Sequence, residues 1–330
     1  MKRTLSLCCA AHFLVDFACA FLLFRALRGE PQWAELLIGY NFCAFAVQMP
    51  LGLLADRWDR DGLVAAVGAL LIAASYGLPG IPWLAAVTAG LGNAAFHVGA
   101  GLEVLSVSGD RAGPLGLFVS PGALGLFCGT LLGKGTALPL LLPPLVLLCA
   151  AAALFGMRQA RPGSLPGAEL PPLKTVCLPV LLLLAVVILR SFVGMSLSFP
   201  WKGNWAVALT VSLALGKAAG GYLADRFGPV KTAVLSLGLS AVLLLCAELP
   251  VCGVPAVFLF NMTMPLTLWA CARLLPLARG FAFGILTFGL FLGFLPTAFG
   301  AGGLSAQGAA LLALASLLLL LPGLGRAVKL

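Results

Sequence analysis

Charge is what this chain has least of. Asp, Glu, Lys and Arg make up 9% of its 330 residues, against 61% hydrophobic residues and a mean hydropathy of +1.09, where a soluble domain carries about 25% charged residues. That balance excludes an ordinary water-soluble fold and specifies a polytopic membrane protein. Histidine occurs twice, and there is neither a His-Glu-x-x-His run nor a nucleophile elbow, so the usual templates of zinc hydrolases and serine esterases are missing. The ten cysteines include no C-x-x-C pair. They indicate neither a zinc site nor a disulfide framework, and read as small hydrophobes inside apolar segments. The formal charge of +9 comes without a Lys/Arg cluster or a basic helix face, so no nucleic-acid partner is expected. No cofactor and no metal is expected either.

What the chain does have is apolar runs of about 20 residues, the length that crosses a bilayer core. They extend over approximately Leu5 to Leu27, Trp33 to Ala55, Gly62 to Leu78, Ile81 to Leu105, Pro114 to Gly133 and Leu138 to Met157. The second set is Cys177 to Phe199, Asn204 to Ala224, Val230 to Glu248, Val251 to Ala272, Gly280 to Gly300 and Ser305 to Leu321. The first run is not read as a signal peptide, because His12 and Asp16 interrupt it and Phe21 to Phe24 prolong it. The expected fold is all-α, with about twelve transmembrane helices in two six-helix bundles. These are residues 1–157 and 177–330, joined by a Pro- and Gly-rich cytoplasmic linker over 158–176 that has no room for a soluble catalytic domain. About fourteen cations, among them Lys2, Arg3, Arg57, Arg60, Arg158, Arg161, Arg226, Lys231 and Arg326, fall on one side, against Arg25, Arg28, Lys134 and Lys202 on the other. Both termini are therefore expected in the cytoplasm.

The two halves share a motif. Met49 to Gly62 reads MPLGLLADRWDRDG, and Gly216 to Lys231 reads GKAAGGYLADRFGPVK; aligning Asp56 with Asp225 also pairs Gly52 with Gly221, Ala55 with Ala224 and Arg57 with Arg226. A tight turn at a membrane surface wants a small residue for close backbone approach, a carboxylate near exposed amides at a helix start, and cations facing the cytosol. The pattern, with Arg60 in the first copy and Gly228 in the second, resembles the loop between helices 2 and 3 of major facilitator superfamily transporters and its pseudo-repeat between helices 8 and 9. Asp59 stands where the family usually has glycine. The resemblance implies two pseudo-symmetric bundles and makes Gly52, Asp56, Arg57, Arg60, Gly221, Asp225, Arg226 and Gly228 gating-loop residues.

Polar side chains at depth are costly in hydrocarbon and usually face a cavity or a partner. At about 1.5 Å per residue, His12, Gln48, His97 and Lys217 lie roughly 12 Å from the cytoplasmic ends of their runs, with Asp16, Asn93 and Arg190 deeper. His12 and Asp16 are four apart, as are Asn93 and His97, so each pair shares a helix face. Several also have a structural alternative, whereas Asp16 and Arg190, too far from an interface to reach water easily, are the hardest to read that way. Lys217 can snorkel or pair with a helix end, Asn93 can be an interhelical contact, and the histidines can be satisfied core residues. Glu103 and Glu35 lie near run ends and read as interfacial. Gly125, Gly129 and Gly133, and Gly216 with Gly220, form small-residue packing faces.

A narrower resemblance rests on HFLVD at His12 to Asp16, Phe96-His97, RSFVGMSLSFP at Arg190 to Pro200 and LLPLARGFAFG at Leu274 to Gly284. These are similar to the fosmidomycin-resistance efflux branch of the superfamily, although Val98 and Gly99 replace its Pro and Glu. The implied function is a secondary transporter of a small organic solute, a proton-coupled exporter working by alternating access, monomeric in the bilayer of the inner (cytoplasmic) membrane. Its cavity would hold His12, Asp16, Asn93, His97, Arg190 and Lys217. In this scheme Asp16 is the coupling carboxylate, and its contact with Arg190, opening and closing, switches its proton affinity. The alternatives are a non-transporting membrane sensor or scaffold, and an intramembrane enzyme built on His12, Asp16, His97 and Glu103.

Overall fold

The computed structural model describes residues 2–58, 60–135, 137–157 and 172–330. Asp59, Arg158, Arg161 and most of the expected linker, 158–171, lie outside the described residues. In chain order the helices are α1 Lys2–Leu27, α2 Trp33–Trp58, α3 Asp61–Ser75, α4 Pro82–Ser108, α5 Gly113–Gly133, α6 Leu142–Phe155, α7 Leu173–Ser196, α8 Ala206–Phe227, α9 Pro229–Leu245, α10 Pro250–Leu274, α11 Arg279–Ala298 and α12 Ala306–Val328. The extended pairing among the described residues is a lone bridge between Leu197 and Leu304. Among the described residues, eight helices are long and apolar enough to cross a membrane, while α3, α6 and α9 are apolar but shorter. Many large apolar side chains point outward, among them Leu178, Leu181, Val211, Leu215, Leu235 and Val242. A helix with such a surface needs a hydrocarbon solvent.

Prolines and local widening set where the helices bend. α5 breaks at Ser120, ahead of Pro121, and α10 breaks at Met262, three residues before Pro265. In both places the ring removes an amide from the helical ladder. α1 and α2 each contain a π-helical turn, at Leu23–Leu27 and Phe42–Ala46. The expected boundaries shift by a few residues. The sixth run opens at Leu142 because Pro143 and Pro144 sit in the first turn, where a missing amide costs little, and α9 ends at Leu245, ahead of Glu248.

The chain divides into two compact units. The first comprises Met1–Val107, Pro121–Ser164 and Ala278–Phe288, and the second Ser108–Ser120, Leu165–Leu277 and Gly289–Leu330. α5 and α11 thus contribute to both. In the first unit α1 packs along the second part of α5, and α3 along α6. The glycine face of α5 makes the first contact possible: a Cβ at Gly125, Gly129 or Gly133 would press on the carbonyl oxygens of Phe13, Phe17 and Phe21 in turn. In the second unit α8 packs against α10 and the first part of α5, and α12 against α7 and α9. Gly216 and Gly220 press in the same way on the carbonyls of Phe258 and Met262. Both stripes belong to the close-packed type that brings membrane helices together.

Candidate functional site

The first unit holds a polar cluster between α1 and α4. One-turn spacing brings His12 and Asp16 into contact, His12 Nε2 lying 3.2 Å from Asp16 Oδ2. His97 Nε2 lies 3.7 Å from Asp16 Oδ1. The two imidazoles meet edge to face, 3.0 Å apart Nε2 to Nε2. Asn93 Nδ2 donates to Asp16 Oδ1 at 3.1 Å and also reaches Cys19 Sγ at 3.6 Å. His97 Nδ1 is 2.9 Å from the carbonyl oxygen of Asn93. A carbonyl only accepts, so His97 carries a proton on Nδ1 and in its neutral form turns the Nε2 lone pair toward Asp16 and His12. His12 is 5% exposed, His97 9% and Asn93 2%. The Asp16 side chain keeps 19% of its surface open. One residue that sequence reasoning missed completes the cluster: Gly122, at the start of the second part of α5, where a Cβ would press on His12 Nε2 and Asp16 Oδ2. Four of the expected cavity residues therefore come together as a nearly enclosed carboxylate between two imidazoles, an arrangement able to hold and pass protons. Glu103, expected at an interface, is 1% exposed and lies 3.5 Å from where a Cβ of Gly62 would stand; packing against α3 buries it.

The second unit holds the other two. Arg190 on α7 is 7% exposed and its Nη2 donates to Thr267 Oγ1 of α10 at 2.9 Å. Its Nε and Nη1 are buried without a hydrogen-bond partner. Asp16 and Arg190, expected to pair, each have partners in their own unit. Lys217 is half-buried and donates to the carbonyl of Val119 at 3.3 Å, beside the break in α5. That contact matches the helix-end alternative for this lysine. Thr267 carried no sequence signal, because a hydroxyl in an apolar run is common and its partner lies 77 residues away.

The repeated motif does the same thing twice. Asp56 accepts hydrogen bonds from the amides of Gly280 and Phe281, at 2.7 and 3.0 Å, where α11 begins. Asp225 accepts from the amides of Ala112 and Gly113, at 2.7 and 2.9 Å, where α5 begins. Gly52, one turn before Asp56, abuts the Gly280 carbonyl, and Gly221, one turn before Asp225, abuts that of Ala112. Each copy thus lays a glycine and a carboxylate on one face against a distant helix N-terminus, where a negative charge is favoured. Arg57, Arg60 and Arg226 are exposed. Gly228 has φ 92° and closes α8, a conformation that favours glycine. Near Asp225, a cavity of about 340 Å³ is lined by Asp110, Arg111 and Trp269 among others. There Trp269 Nε1 donates to the Asp110 carbonyl at 3.1 Å, and Arg273 pairs with the Asp110 carboxylate.

No protein-family model and no curated protein sequence matches the chain. Solved structures do. It is similar to the fucose:proton symporter FucP of E. coli, at 15% identity over 98% of both chains with a TM-score of 0.69, which a second FucP structure describes as a major facilitator superfamily transporter. The fold is the major facilitator fold. The human organic anion transporter MFSD10 matches at 16% identity over 97% of this chain and 99% of its own, TM-score 0.58. A bacterial homologue of the iron transporter ferroportin matches at 18% identity over 99% and 98%, TM-score 0.59. The two motif copies lie at the ends of α2 and α8. The apolar helices and these neighbours together describe a multi-pass membrane protein.

Proposed function

We propose that the chain is a secondary active transporter that moves a small organic solute by alternating access, with proton-coupled efflux as its mode. α1 to α6 and α7 to α12 act as two six-helix bundles of about twelve spans. Both termini face the cytoplasm of an inner membrane, as the excess of cations on one side favours, and the unit of function is a monomer. The observation that carries this reading is the enclosed Asp16 between His12 and His97 on a transporter fold. Protonation of Asp16 removes the charge that His12 and Asn93 contact, and so couples proton occupancy to how tightly α1, α4 and α5 pack. The description of FucP as a proton symporter supports coupling of this kind. Efflux rests on the fosmidomycin-branch resemblance. Arg190, with two unpartnered guanidinium nitrogens, suits an anionic group on the solute, in keeping with the naming of MFSD10 as an organic anion transporter. Asp56 and Asp225 act as gating contacts: each caps a helix start in one state and releases it in the other.

Proton-driven flux in vesicles reconstituted with the purified protein, assayed with a panel of small organic anions, tests the reading. Asp16→Asn is expected to lose coupled flux and to keep solute exchange between the two sides. Full proton-driven flux in that variant removes Asp16 from the coupling role.

A further inference from the structure

The cluster on α1 and α4 has a property that proton transfer does not require. Among the described residues, His12, Asp16 and His97 are the group whose potential metal-ligating atoms converge, all within 4.8 Å of one another. Their separations are 3.0, 3.2 and 3.7 Å. Bonds of about 2.0–2.2 Å from a divalent ion to imidazole nitrogen and carboxylate oxygen imply ligand-to-ligand edges of about 3.3–3.6 Å in a tetrahedral site. For adjacent ligands of an octahedral site the edges are about 2.8–3.1 Å. The observed triangle straddles those values, so the three donors already mark one face of a coordination sphere.

Three further features fit. His97 Nδ1 is fixed on the Asn93 carbonyl at 2.9 Å, the outer-shell contact that sets a ligating histidine's tautomer and points its other nitrogen at the ion. Asn93 Nδ2 holds Asp16 Oδ1 at 3.1 Å, which orients the carboxylate in the same way, while the Asn93 Oδ1 atom is buried without a partner. Gly122 leaves clear the space over His12 Nε2 and Asp16 Oδ2 that any Cβ would fill. The Asp16 side chain, 19% exposed, is the opening by which an ion would enter.

We infer that His12 Nε2, His97 Nε2 and the Asp16 carboxylate form a binding site for one divalent first-row transition-metal ion. Two imidazoles and a carboxylate select such an ion over Mg²⁺ or Ca²⁺, which prefer shells of oxygen. The ion takes the place now filled by the contacts of His12 Nε2 with His97 Nε2 and Asp16 Oδ2. The proposal goes beyond the transport reading and does not rest on it, since binding is read on the purified protein without flux.

The test is titration of the full-length protein in detergent with Co²⁺ and, separately, Zn²⁺. The readouts are the visible ligand-field absorption of bound Co²⁺ and isothermal calorimetry for Zn²⁺. One equivalent per chain is expected, unaffected by excess Mg²⁺. His97→Gln and Asp16→Asn should each weaken binding at least tenfold. Gly122→Ala should do the same with every donor retained, because its methyl group occupies the ion's place. Circular dichroism and gel filtration establish that each variant is folded. Should the variants fail to fold, X-ray absorption of the Zn²⁺-loaded wild-type protein decides, with a first shell containing imidazole and carboxylate oxygen expected. Absence of stoichiometric binding by the folded wild-type protein overturns the proposal. So does unchanged binding in folded Gly122→Ala and His97→Gln, or a first shell of thiolate sulfur without imidazole.

Discussion

Arg190 donates to Thr267 and leaves two buried guanidinium nitrogens without partners. Each unsatisfied buried donor costs about 1–3 kcal/mol, more where the group is charged. A side chain kept at that expense is not there for the stability of α7. Replacing a buried charge by an apolar group of similar volume is often neutral or stabilising, so Arg190→Met is expected to leave the melting temperature in detergent unchanged or raised. The same variant should abolish flux of anionic solutes. A fall in melting temperature with flux retained would reverse the assignment and make Arg190 a structural residue. At this scale the sequence was legible wherever a residue type at depth was itself anomalous. His12, Asp16, Asn93 and His97 could be put on shared helix faces because the period of a helix is fixed. Gly122 could not be singled out, since a glycine among many in apolar helices does not announce which side chain it makes room for. Thr267 was hidden for a similar reason: a hydroxyl in an apolar run does not reveal which neighbour will need it.

The two aspartates of the repeated turn show what a helix end adds. Each accepts two backbone amides at the start of a helix distant in sequence, and each is preceded one turn earlier by a glycine that lets the helix end come close. The repeat itself, and the reason for a carboxylate beside exposed amides, were readable from the chain. The helix starts that come to the carboxylates were not, because a turn motif records its own conformation and carries no register for a segment more than a hundred residues away. Surroundings rank the two caps. Asp56 is half-buried, while Asp225 is exposed, and hydrogen bonds to a carboxylate weaken as water competes. Asp56→Ala should therefore destabilise the protein by about 2 kcal/mol and Asp225→Ala by about 1 kcal/mol, the range of lost helix caps. Chemical unfolding of the two variants in mixed micelles checks the order. A larger loss at Asp225, or none at either, would mean that these contacts do not hold the helix starts.

At the scale of the whole molecule the unusual quantity is helix length. α3, α6 and α9 span 15, 14 and 17 residues, which at about 1.5 Å per residue gives about 22, 21 and 25 Å of helix. The hydrocarbon core of a typical bilayer is about 30 Å thick. Their neighbours α1, α2 and α10, at 26, 26 and 25 residues, are long enough to cross that thickness with tilt to spare. In the twelve-span arrangement proposed above, α3, α6 and α9 cross with the rest. Long helices can then tilt to fit a thinner membrane, whereas short ones cannot stretch to fit a thicker one, so the two sets agree best in a bilayer thinner than average. The mismatch cost is a fraction of a kcal/mol per Å for each helix, and three short helices in one chain make it measurable. Reconstituted into phosphatidylcholines of increasing acyl length, the protein should have its highest melting temperature in the thinner bilayers, with a decline of several degrees toward the thickest. A melting temperature that rises steadily with thickness would show that turns and loop residues extend these helices across the core, and that their length as helices is not what limits the molecule's fit to the membrane.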